Sequence, residues 1–147
     1  MRTSSKELQE GLVKRMRQWQ KIEDASVEST SRIIEATESP FIQLVMEIIK
    51  ADSQRHHQVQ GFIADSFETQ AVSLDPEQLA EVWDAIEAHL AIERRMAGYV
   101  EETLGALKGR KLVVQEYLLE YLRLDEQKHD ALLSALETIK KGMYPYG

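Results

Sequence analysis

Glu126 and His129 stand three residues apart in LRLDEQKHDALLSALE, Leu122 to Glu137, a stretch that otherwise reads as a leucine-rich helix. Three residues is just under one helical turn, so the carboxylate and the imidazole share a face. Oxygen and imidazole ligands together suit iron, manganese or zinc. The same pair can also be a hydrogen-bonded structural element of a core. Three other stretches place ionisable groups where an apolar stripe should run. Glu93 lies between Leu90 and Ala97, Asp52 and His56 lie between Ile48 and Val59, and Glu23 lies beside Trp19, Ile22 and Val27.

Carboxylates gathered in an apolar core are prohibitively costly unless a proton, a salt bridge or a metal ion joins them. Most arginines and lysines fall off the apolar stripes, and Arg15, Arg17, Arg94 and Arg95 read as a solvated face. A divalent or trivalent ion held by Glu23, Asp52, His56, Glu93, Glu126 and His129 would answer the whole cost at once. His89, one turn before Glu93, stands where it could support that carboxylate or line the rim. His57 points about 100° away from His56, towards solvent or a helix contact.

These groups need long rigid elements to carry them. The 147 residues are one domain's worth, and 43% hydrophobic with 29% charged residues is an ordinary globular composition. A net charge of -7, with no basic block, argues against a nucleic-acid surface. The lack of cysteine excludes disulfides, thiolate metal sites, cysteine nucleophiles and iron–sulfur clusters, and it fits a reducing cytoplasm. The first residues do not read as a signal peptide, and no apolar run reaches the roughly 20 residues of a membrane span.

Turn signals cut the chain at even intervals. SSKE, Ser4 to Glu7, is a capping-box start. Ser39-Pro40 and Asp75-Pro76 each place a cap residue before a proline, and Gly109 and Gly142 stand where helices end. No period-2 runs suggest strands. The expected helices are 5–38, 40–72, 76–108 and 110–141. Each would be roughly 50 Å long, and short links would pack them as an all-α, antiparallel four-helix bundle forming one domain over residues 1–147. Expected core stripes include Leu8, Trp19 and Ile22 in the first helix, Val59, Phe62 and Ile63 in the second, Leu79, Leu90 and Val100 in the third, and Leu119 and Leu133 in the fourth. Trp83 and the tyrosines read as core too. Gly61 inside the second helix marks a close contact or a bend. The tail MYPYG could dock on a neighbour or fray.

The polar positions repeat. Glu23 to His56 and Glu93 to Glu126 are each 33 residues, and Glu23 to Glu93 and His56 to Glu126 are each 70, as if one helical hairpin had been copied. Glu93 in AIERRM with Glu126 and His129 in DEQKHD resembles the ferritin-like di-iron carboxylate bundles, such as bacterioferritin and rubrerythrin. The resemblance implies that Glu93 is a terminal carboxylate, Glu126 a bridging one and His129 a terminal imidazole. It covers the whole chain as architecture and half of it as motif. In the first hairpin Glu23 fits the terminal carboxylate, but His56 replaces the bridging glutamate and Val59 the second histidine. Asp52, one turn before His56, could restore a carboxylate and an imidazole in reversed order. The link TQAVSLDPEQ is also short for the family's long crossover, and up-down-up-down winding is the alternative.

What the resemblance implies is a mononuclear or dinuclear iron site, with oxidation of ferrous iron by oxygen or peroxide if two irons bind. An external electron donor would be needed for peroxidase turnover, since no rubredoxin-type domain is present. The alternative is a metal-free helical bundle acting as a dimerisation or partner-binding module. Ile33, Ile49, Val113 and Leu132, off the inner stripes, favour a homodimer.

Overall fold

The computed structural model describes residues 4–69 and 71–143. Four α-helices make up the described chain: α1, Ser5–Ala36; α2, Pro40–Glu68; α3, Pro76–Leu107; and α4, Val113–Met143. No strand occurs among the described residues. The cap signals act as the sequence implies. Ser4 accepts from the backbone N–H of Glu7, Ser39 from that of Ile42 and Asp75 from that of Glu77. Pro40 and Pro76 open their helices, where a missing N–H costs nothing.

The ends depart from expectation in places. α1 stops at Ala36 because Thr37 and Ser39 are extended, as the approach to Pro40 demands. α2 ends at Glu68 rather than 72. α4 begins at Val113, not 110, because Gly109 and Lys111 both take positive φ, 79° and 58°, which no helix can incorporate. Gly142 does not end α4, which continues to Met143. Residues from Tyr144 onward lie outside the described residues.

The chain divides into two compact units, Met1–Ser73 and Leu74–Gly147. Each is a helical hairpin. In the first, Arg17 pairs with Asp65 and Glu68, Glu23 with Gln60, and Ser26 with Ser53, so the chain doubles back on itself. This seam is polar. Glu23, Thr30, Ser53 and Gln60 are buried along it, and Ala64 is its buried apolar residue. Leu8, Trp19, Ile22, Val59, Phe62 and Ile63, expected in the core, are exposed instead. Small and hydrogen-bonding side chains let α1 and α2 approach closely, and the bulky apolar ones are turned outward. Arg17 is correspondingly a cross-helix link rather than part of a solvated face.

Gly61 shows how close the approach is. A Cβ there would meet Nε2 of Gln20 at 2.8 Å, and that nitrogen donates to the carbonyl of His57 at 3.0 Å. Gly61 therefore marks a helix contact. Alanine would push aside a flexible side-chain tip and lose one hydrogen bond, about 1 kcal/mol. It would regain about 1 kcal/mol of helix propensity. Gly61→Ala is expected to change stability by less than about 1 kcal/mol in urea unfolding, because the two effects cancel.

The second hairpin is more conventional. Leu79, Trp83, Leu90 and Val100 are buried, and Lys140 Nζ lies 4.8 Å from the centre of the Trp83 ring. Trp83 is core as expected, but Tyr99 and Tyr117 are exposed. One residue interrupts the buried apolar row of α3, and it is Glu93. No described helix is long and apolar enough to cross a membrane.

Candidate metal centre

α3 brings Glu93 to its buried face between Leu90 and Val100, and only 6% of the residue is exposed. Three polar side chains surround its carboxylate. His129 Nδ1, from α4, lies 3.1 Å from Oε2. His89 Nε2, one turn back on α3, lies 2.9 Å from Oε1. The Glu126 carboxyl, also from α4, shares a hydrogen bond with Glu93. One donor atom from each of Glu93, Glu126 and His129 falls within 4.8 Å of the other two. This is the only such group of three or more potential ligands among the described residues.

The set fits a small cation. Ligand atoms about 2.0–2.2 Å from one ion lie roughly 3 Å apart when they are adjacent at right angles. The 3.1 Å between His129 Nδ1 and Glu93 Oε2 matches that edge. A second sign is Oε2 of Glu126, which is buried and has no hydrogen-bond partner. A buried acceptor left unmatched is costly, and a cation would satisfy it. A cavity of about 290 Å³ lined by His89, Glu93, His129, Leu132 and Leu133 gives access beside the group.

Folding shifts the two carboxyls in opposite directions. The hydrogen bond from Glu126 lowers the pKa of Glu93, helped by those from His129 and His89 and opposed by burial. The same hydrogen bond raises the pKa of Glu126, reinforced by burial and by the charge on Glu93. The signs separate two pH ranges. Glu93, depressed when folded, contributes stability above its unfolded pKa that is lost as pH falls through the folded value. Glu126, raised when folded, contributes stability below its unfolded pKa that is lost as pH rises through the folded value. Metal-free protein should therefore lose stability as pH rises through the Glu126 pKa. Glu126→Gln, which can still donate to Glu93, should flatten that slope in urea unfolding across pH.

The remaining expected ligands lie on the first hairpin. Glu23 is buried at 7% exposure, and its Oε2 lies 3.1 Å from His56 Nδ1. The same oxygen accepts a 3.1 Å hydrogen bond from Gln60 Nε2. Asp52 is exposed, and Glu23, Asp52 and His56 do not form a group of three converging donors. The six expected residues thus fall into one set per hairpin, with three converging only on the second. His57 is a helix contact: its Nδ1 lies 2.9 Å from Asp24 Oδ1, and its carbonyl accepts from Gln20.

Gln60 is the residue that sequence reasoning passes over. It lies one turn after His56 on the same face, is only 4% exposed, and its Oε1 is buried without a partner. The spacing from His56 was a usable signal, but a glutamine carries no charge to draw attention to a stripe. Searches for similarity returned nothing: no family model, no curated protein and no solved structure matches this chain.

Proposed function

We propose that this is a metal-binding protein whose second hairpin holds a divalent cation, iron by preference, between Glu93, Glu126 and His129. The observation that carries the reading is the convergence of two carboxylates and an imidazole, with one buried Glu126 oxygen left without a partner. In this reading Glu93 and Glu126 supply the negative charge that offsets the cation. His129 supplies a neutral nitrogen, and Leu132 and Leu133 border the approach. The resemblance to ferritin-like bundles supports iron as the cation. A bound iron would supply electron transfer to oxygen or peroxide, so ferrous oxidation is the activity to look for.

The decisive test is elemental analysis of protein purified without chelators, followed by ferrous titration under anaerobic conditions. About one equivalent of metal per chain, absent from Glu126→Ala, is the expected result. Oxygen- or peroxide-dependent absorbance changes after ferrous loading would establish turnover.

A second reading is favoured by a different observation. Trp19, Ile22 and Phe62 on the first hairpin, and Ile92, Tyr99 and Leu132 on the second, are exposed apolar or aromatic side chains. Such residues suit a dimerising or partner-binding module. Metal-free protein that is equally or more stable as Glu126→Leu, and that self-associates, would favour this module over the metal centre.

A further inference from the structure

Within the proposed metal centre, His89 stands apart from the converging ligands. It contacts Glu93 at 2.9 Å, closer than His129 does, yet it lies outside the group whose donor atoms all approach one another. The two imidazoles hold opposite oxygens of one carboxylate. His129 faces Oε2, and His89 faces Oε1. In the first hairpin, by contrast, the His56 ring nitrogen and the Gln60 amide both approach a single oxygen of Glu23.

A carboxylate can rotate about its last bond, and a free one presents either oxygen to an incoming ion. A donor fixed on Oε1 stops that rotation and leaves Oε2 directed at His129. His89 is well placed to be that donor. It sits on the same rigid helix at a spacing of four, so its reach to Glu93 does not depend on how α3 meets α4. Its side chain is 54% exposed, so packing does not explain its orientation towards a buried carboxylate.

We infer that His89 is a positioning residue for the metal centre, donating from Nε2 to Oε1 of Glu93 so that Oε2 is presented to the cation. This inference rests on the metal-binding reading. Its role is to set affinity through Glu93 without entering the ligand set.

Cobalt(II) titration tests it, because the visible absorption band reports both occupancy and ligand environment. His89→Ala should weaken cobalt binding by about 10–100-fold, the range typical of partners that orient a ligand. Stoichiometry and band shape should stay those of the unaltered chain. His89→Gln, whose amide can donate to the same oxygen, should recover most of the loss. Helicity measured by circular dichroism on both variants controls for folding, and an exposed site tolerates both changes. Equal affinity in His89→Ala and the unaltered chain would overturn the positioning role while leaving the metal centre standing. So would a His89→Gln variant no tighter than His89→Ala. A changed band shape in His89→Ala would make His89 a ligand and overturn the role in the other direction. No cobalt band in the unaltered chain would remove the metal centre itself, and this role with it.

Discussion

Glu93→Gln is expected to leave the protein without bound divalent metal at concentrations that saturate the unaltered chain. Glu93 is the group that all other members of the centre address: His129 and His89 take one oxygen each, and Glu126 hydrogen-bonds with it. Glutamine keeps the volume but removes the charge and turns one oxygen into an N–H donor. A buried cation then faces a partner of the wrong sign. Losing one member of a buried charge pair costs about 3–5 kcal/mol, and about 4 kcal/mol corresponds to roughly 1000-fold in affinity. The metal-free protein should lose stability more modestly: the charge that folding favours at Glu93 is gone, while glutamine keeps the side-chain volume. Calorimetric titration with a divalent cation, beside urea unfolding of metal-free protein, separates the two effects. A Glu93→Gln chain that binds within tenfold of the unaltered one would place the cation elsewhere. A chain that unfolds on this substitution would instead make Glu93 a structural anchor.

Trp83→Ala should produce the largest loss of stability. Trp83 is the largest of the buried apolar residues, and Lys140 lies over its ring. Truncating a buried tryptophan typically costs about 3–5 kcal/mol through lost burial and the cavity left behind. That is a large share of the roughly 5–15 kcal/mol by which a domain is stable. Trp19 is the control, since the same change at a residue 51% exposed removes far less buried surface. Trp19→Ala should cost under about 1 kcal/mol if its face meets water. Urea unfolding followed by helicity reads both. Equal losses at the two sites would show that the face carrying Trp19 is covered in solution, by association or by closure of the chain on itself.

The contrast between the tryptophans shows how far sequence reasoning reaches. Both occupy apolar positions on helices with the same periodicity. Periodicity assigns a residue to a face but not to a partner. On α1 the face that meets α2 runs through Glu23, Ser26 and Thr30, which leaves Trp19 and Ile22 on the outside. The small hydroxyl and amide groups along that seam are weak signals in a hydropathy pattern, though they decide how closely two helices pack. The ligand set has the same history. Glu126 and His129 were legible from their spacing, and Glu93 from its place in an apolar stripe. The equivalence of Glu23 and His56 to that set was also legible as a repeat, but a repeat in register does not ensure a repeat in chemistry.

By itself the sequence determined four helices, three of their N-terminal caps and the break at Gly109, because these depend on side chains within a few residues of the backbone groups they satisfy. Tertiary structure alone decided that of the six expected ligands Glu93, Glu126 and His129 are the three that converge, and that Gln60 sits on Glu23 instead of a third ionisable ligand. Convergence depends on the rotation and offset of one helix against another. Those are set by the summed contacts of an entire seam, and no local pattern in the chain encodes them.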